Sequence, residues 1–75
     1  MKTNSIEHWK ENAENGILHG KAGYVLKSSK ELVNLGKQDE AEVILKSALQ
    51  RGSWDELSEI KMLTSLSKLI MEKDP

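Results

Sequence analysis

The residues with the greatest potential for chemistry are two histidines and the acidic side chains near them. His8 and Glu11 are three positions apart with Glu7 adjacent, so one side of a helix would present two of these side chains together. Two side chains make only half of a metal site, because a metal ion needs three or four converging ligands. The other histidine, His19, lies beyond Gly16, where we expect the first helix to end. We therefore expect a solvated polar face here, and we predict neither a metal nor any other cofactor.

Two short motifs have part of the pattern of a catalytic or phosphate-binding site. Gly20 and Lys21 resemble the end of a phosphate-binding loop, but the first glycine, the following Ser or Thr and the preceding strand are missing. Ser65 and Lys68 have the Ser-x-x-Lys spacing of a class of acyl-enzymes without the partner motifs of that class. The chain also has no Cys, which excludes thiol catalysis and thiolate zinc sites. We predict that the protein is not an enzyme.

Three lysines on the predicted second helix could contact an anionic partner. Lys27, Lys30 and Lys37 fall within about 80° of one another around a helix. They would neutralise few phosphates, so the salt-dependent affinity that they supply would be weak. The predicted helix starts are acidic, as at Asp39 and Asp55, and would repel a nucleic-acid backbone. A nucleic-acid-associated regulator that uses this basic face is the alternative function, and nucleic acid is disfavoured as a partner.

Length and charge restrict the class of protein further. The chain has 75 residues, enough for one domain, and we predict that residues 1–75 form a single helical domain. A domain of this size buries only about 60% of the surface of its unfolded chain, which leaves little room for a deep catalytic cleft. The net charge of -1 provides no positive field for nucleic acid or anionic membranes. Apolar runs no longer than Leu69–Met71 predict no membrane span and a cytoplasmic location.

Glycines and helical periodicity divide the chain into four predicted helices. Leu, Lys, Glu, Ala and Ser dominate the sequence, which favours helix over strand. The expected bounds are about 5–15, 18–35, 39–51 and 53–72. We predict an all-α fold, a small bundle of three to four helices built on an antiparallel hairpin of the second and third helices.

Capping residues predict where these helices begin and end. Asn4 with Glu7 predicts the first start, Asp39 with Glu42 the third and Ser53 with Glu56 the fourth, each at capping-box spacing. Gly16 is expected to end the first helix. The start of the second helix stays open. Either it begins near Ala22 with residues 16–21 as a connector, or Gly20 and Gly23 let another helix approach closely.

The predicted fourth helix carries apolar residues on two nearly opposite faces. At about 100° per residue, Trp54, Leu57 and Ile60 lie on one face. The other face has a longer apolar row, formed by Met62, Leu63, Leu66, Leu69 and Ile70. One face packs on the chain's own core and the other is available to a partner, and the spacing leaves open which is which. All of these residues are candidates for a protein interface.

The segment of residues 22–55 resembles one tetratricopeptide repeat, a helix–turn–helix unit of about 34 residues. Gly36 matches the turn between the two helices of that unit, and Ala41 matches its small residue. Leu45 and Ala48 follow four and seven residues later, where the family has a large apolar and a small residue. Ser53 stands where the family has a closing proline.

This resemblance implies a helical hairpin that serves protein recognition. Lys27, Lys30 and Asn34 would lie along its first helix, with Lys37 just beyond it, as possible contacts for an acidic peptide, a C-terminal carboxylate or another polyanion. Such repeats bury their faces by stacking, so one isolated unit must be covered by the flanking helices or by another chain. We predict a small non-catalytic protein–protein interaction module or regulator that acts through an apolar helical face and forms a homodimer.

Overall fold

The computed structural model of the protein describes residues 5–73 and is an all-α fold, as the sequence predicts. Its elements are the helices α1 (Ser5–His19), α2 (Ala22–Asn34), α3 (Gln38–Arg51) and α4 (Glu56–Lys73). The described range contains no strand. The predicted cap at Asn4 lies outside the described residues.

The four helices form two layers. Each helix packs on the next one in sequence, and α1 also touches α3 while α2 also touches α4. The Cα atoms extend over 39 × 34 × 15 Å, and the smallest dimension fits two helices packed about 8–10 Å apart. Within residues 5–73, α1 and α4 do not touch. The outer side of α4 is therefore an open edge of the molecule.

The first helix ends four residues later than predicted, because Gly20 and not Gly16 terminates it. Gly20 has φ of 67°, and the amide of Lys21 donates to the Gly16 carbonyl oxygen at 2.7 Å. This is the left-handed glycine ending known as a Schellman motif. Gly16 instead lies inside α1, buried against α2. A Cβ added there would lie 2.8 Å from the Cβ of Tyr24, so Gly16 permits the close approach of the two helices.

The second helix begins at Ala22, one of the two starts that the sequence left open, and the predicted start at residue 18 is wrong. Leu18 belongs to α1 and is largely exposed. The glycines predicted to admit a neighbouring helix do not do so, since a Cβ at Gly20 or Gly23 would meet no atom within 4 Å. Gly36 ends α2 with φ of 80°, and the Lys37 amide donates to the Leu32 carbonyl oxygen at 2.8 Å in a second Schellman motif.

The starts of α3 and α4 differ from the predicted capping boxes. Helix α3 begins at Gln38, so Asp39 lies within its first turn rather than before it. Helix α4 begins at Glu56, and its cap is Asp55 rather than Ser53. The Asp55 carbonyl oxygen accepts from the Glu59 amide at 3.0 Å, and its carboxylate accepts hydrogen bonds from the hydroxyl and the amide of Ser58, which is the geometry of an N-cap.

The core lies between the layers and is built mainly from aliphatic side chains. The fully or nearly fully buried apolar residues are Ala13, Val25, Leu32, Ala41, Ile44, Leu45, Ala48, Met62 and Leu69. Small residues on α3 let α2 and α4 pack against it closely. Two serines are also buried. Ser28 Oγ accepts a hydrogen bond from Asn12 Nδ2 at 2.9 Å, and Ser29 Oγ donates to the Leu26 carbonyl oxygen at 2.9 Å. Buried hydroxyls are thus paired, as burial in an apolar core requires.

Candidate interaction surface

Helix α4 has one buried face and one exposed apolar face. Met62 is 0% exposed and Leu69 5% exposed, and Leu66 is half-buried beside them. The opposite side carries five large apolar residues that are between 45% and 73% exposed: Leu57, Ile60, Leu63, Ile70 and Met71. We call these five residues the α4 stripe. A row of exposed large apolar residues of this kind is typical of a protein interaction site.

The structure decides which face of α4 belongs to the core. Met62, Leu66 and Leu69 pack in the core, so their prediction as interface residues is wrong. Leu63 and Ile70 were expected on the same face, but each is rotated by about 100° from a buried neighbour and lies on the exposed side with Leu57 and Ile60.

The stripe also contains Met71, which the sequence reasoning missed. Met71 is 73% exposed and lines a shallow depression with Ile60 and Leu63. Thr64 and Ser67 form part of the same depression. These two small polar residues interrupt the apolar row. Apolar spacing alone therefore does not extend this face of α4 beyond Ile60. A heptad spacing that admits them, 57–60–64–67–71, would have found Met71.

Trp54 does not extend the stripe, because it precedes α4 and its indole bonds back to the end of α3. Trp54 is half-buried, and its Nε1–H donates to the Ala48 carbonyl oxygen at 2.7 Å. That oxygen also accepts from the Gly52 amide at 2.8 Å. The ring covers Gly52 closely, since an added Cβ would lie 2.6 Å from Nε1. Trp54 thus adds a second hydrogen bond to a carbonyl oxygen in the last turn of α3, and its predicted interface role is not supported by this placement.

Charged side chains border the stripe on both sides. At about 100° per residue, Glu59 lies beyond one edge and Glu56 lies just inside it, between Ile60 and Leu63. Lys61, Lys68 and Glu72 lie beyond the other edge. All five residues are exposed. The acidic edge is concentrated in the first turn of α4, where negative charge also complements the helix dipole.

A second concave feature lies between α2 and α4. This cleft of about 380 Å³ has apolar walls that include Leu26, Val33 and Leu69, and Lys30 and Lys68 lie at its sides. Glu72 also lines it, so the local charge of the three ionisable groups sums to one positive charge. The Ser29 hydroxyl in the cleft already donates to the Leu26 carbonyl oxygen, which leaves it only as an acceptor for a ligand.

The residues predicted to contact a polyanion are exposed, but they do not converge on one site. Lys27, Lys30 and Asn34 lie on the exposed side of α2, three and four residues apart. Lys37 follows the helix as the N-cap residue of α3. Only Lys30 reaches the cleft between α2 and α4. The structure thus presents a row of separate lysines on α2 and one lysine beside an apolar cleft.

Other classes of site are not found among residues 5–73. No group of three or more His, Asp or Glu side chains in this range could hold a metal ion. None of the four described helices is long and apolar enough to cross a membrane. Comparison with protein-family models, with curated proteins and with solved structures gives no match to the chain.

Proposed function

We propose that this chain is a small non-catalytic protein–protein interaction module or regulator that binds its partner through the α4 stripe. The observation that carries the proposal is the exposure of five large apolar residues on the side of α4 that faces away from the core. Burying such side chains contributes roughly 25 cal/mol for each Å² of apolar surface removed from water. An amphipathic helix that packs in parallel or antiparallel fashion along α4 would bury them most completely.

The remaining helices act as a scaffold for this surface. The hairpin of α2 and α3, on which the tetratricopeptide resemblance rests, provides the core against which Met62 and Leu69 pack. Fixing the buried face in this way fixes the rotation of α4 about its axis. The stripe is then held outward on a rigid helix, and a preorganised surface loses little conformational entropy when it binds.

The test is a pull-down from nuclease-treated extract of the native host with two matched variants. Ile60→Asp places a charge in the stripe, whereas Val43→Asp places the same charge at an apolar residue of α3 that is also more than half exposed. We expect the wild-type chain and Val43→Asp to capture the same proteins and Ile60→Asp to lose them, because an unpaired charge is costly to bury. Circular dichroism verifies that both variants remain helical.

Two outcomes would contradict the proposal. Capture of the same proteins by Ile60→Asp would show that the stripe is not the binding surface. Binding that disappears on nuclease treatment, and that is lost with Lys27→Glu rather than with Ile60→Asp, would favour the alternative of a nucleic-acid-associated regulator.

A further inference from the structure

The edges of the α4 stripe carry opposite charges, and this arrangement restricts how two such helices pack. Glu56 and Glu59 lie at one edge in the first turn of α4, and Lys61 and Lys68 lie beyond the other, where Glu72 follows only in the last turn. Two identical helices related by a two-fold axis along their length place the left edge of each against the right edge of the other. A two-fold axis perpendicular to the helices instead places like edges together.

We infer that the partner of the α4 stripe is a second copy of this chain, whose α4 lies parallel to the first. This inference rests on the proposed function, since it uses the same surface. In the parallel arrangement the acidic edge of each protomer meets the basic edge of the other. In an antiparallel pair centred on the same seam, Lys61 lies opposite the partner's Lys68, a like-charge contact that is destabilising. Glu56 then lies near the C-terminal end of the partner's α4, away from the partner's Lys61.

The spacing along the helix fits a parallel pair. In parallel helical pairs, interchain ion pairs join residues five positions apart on opposite edges, and here these are Glu56 and the partner's Lys61. The two residues are about 140° apart around a single helix, so they do not pair within one chain. Each dimer contains this pair twice.

The seam between the two helices is defined by the spacing of three and four residues. It consists of Leu57, Ile60, Thr64, Ser67 and Met71. Thr64 and Ser67 are small and lie in a depression, so two helices can approach closely at the centre, while Leu63 and Ile70 cover the sides. Because Met62 and Leu69 bind α4 to its own core from the opposite side, the body of each protomer lies away from the seam.

Charge reversal tests the arrangement by sedimentation equilibrium at low salt. We expect Glu56→Lys and Lys61→Glu each to weaken self-association about tenfold, since two pairs are lost and two repulsive contacts are created. The double variant Glu56→Lys with Lys61→Glu should regain most of the wild-type affinity. Lys27→Glu, which reverses an exposed lysine on α2, should have no effect. Single variants that associate like the wild type, or a double variant weaker than both, would overturn the parallel arrangement.

Cysteine cross-linking gives an independent measurement, because the chain has no Cys of its own. In a parallel pair Ser67 lies opposite the partner's Ser67, so Ser67→Cys should form a disulfide-linked dimer on mild oxidation. Lys27→Cys should remain mostly monomeric under the same conditions. A Ser67→Cys chain that cross-links no faster than Lys27→Cys would contradict the inference.

The inference and the proposed function fail in different ways. A wild-type chain that stays monomeric at millimolar concentration overturns the inference alone, provided that Ile60→Asp still abolishes capture of another protein. A dimer that forms equally well with Ile60→Asp overturns the inference, because association would then use a different surface. Capture of the same proteins by Ile60→Asp overturns the proposed function.

Discussion

Individual polar residues of this chain join and cap helices. Asn12 donates to Ser28 between α1 and α2, and Trp54, in the connection before α4, donates to the Ala48 carbonyl oxygen of α3. Asp55 caps α4, the helix that carries the stripe. The hydrogen bond from the Ser58 hydroxyl is the main cause that lowers the pKa of Asp55 below its usual range.

The Asp55 cap predicts a pH dependence of stability. Because its pKa is lower in the folded than in the unfolded chain, the ionised carboxylate stabilises the fold above the unfolded pKa of about 3.9. This contribution is lost as the pH falls through the lower, folded pKa. We expect the difference in melting temperature between the wild type and Asp55→Asn to be constant near neutral pH and to diminish below about pH 4.

Ser58→Ala provides the control for this assignment. NMR titration of the Asp55 carboxyl should give a pKa closer to the ordinary value in Ser58→Ala than in the wild type, because the main hydrogen bond has been removed. An Asp55 pKa that does not move on this substitution would refute the assigned cause.

At the scale of helices, local signals predicted the elements well and their ends less well. The apolar face of α3, from Ala41 to Ala48, is buried as expected, and Gly36 forms the predicted turn. The sequence could not distinguish Gly16 from Gly20 as the end of α1, because both are glycines at plausible stops. The distinction depends on α2, which packs directly on Gly16, and that contact is not visible in local spacing.

Gly16 and Gly23 form a matched pair for testing this contact. Gly16→Ala should destabilise the fold by about 1–3 kcal/mol, because the added methyl overpacks the interface with Tyr24 and Val25. Gly23→Ala should be neutral or stabilising by up to about 1 kcal/mol, since it meets open space and favours helix. Urea denaturation measures both free energies of unfolding. Equal effects of the two substitutions would show that α1 and α2 do not approach at Gly16.

For the whole molecule, the two-layer arrangement explains why α4 has an exposed apolar side. Among residues 5–73, α2 and α3 each contact the three other helices, whereas α4 contacts only α2 and α3. The sequence predicted two apolar faces on this helix but not which one is buried. Leu63 and Ile70 each follow a buried residue, so their exposure depends on how much of the surface of α4 is covered by α2 and α3. Tertiary packing determines this coverage, and local spacing does not.

An open edge covered by a second chain makes the stability of the molecule depend on its concentration. If folded chains pair through the stripe, mass action raises the melting temperature as the protein concentration rises. We expect an increase of roughly 5 °C over a hundredfold range of concentration for a domain of this size.

Ile60→Asp should remove this dependence, because the charge prevents burial of the stripe, while Val43→Asp should retain it. Calorimetry at several concentrations measures all three proteins. A wild-type melting temperature that stays constant over this range, or one that rises equally in Ile60→Asp, would show that the open side of α4 is not where two copies of the chain meet.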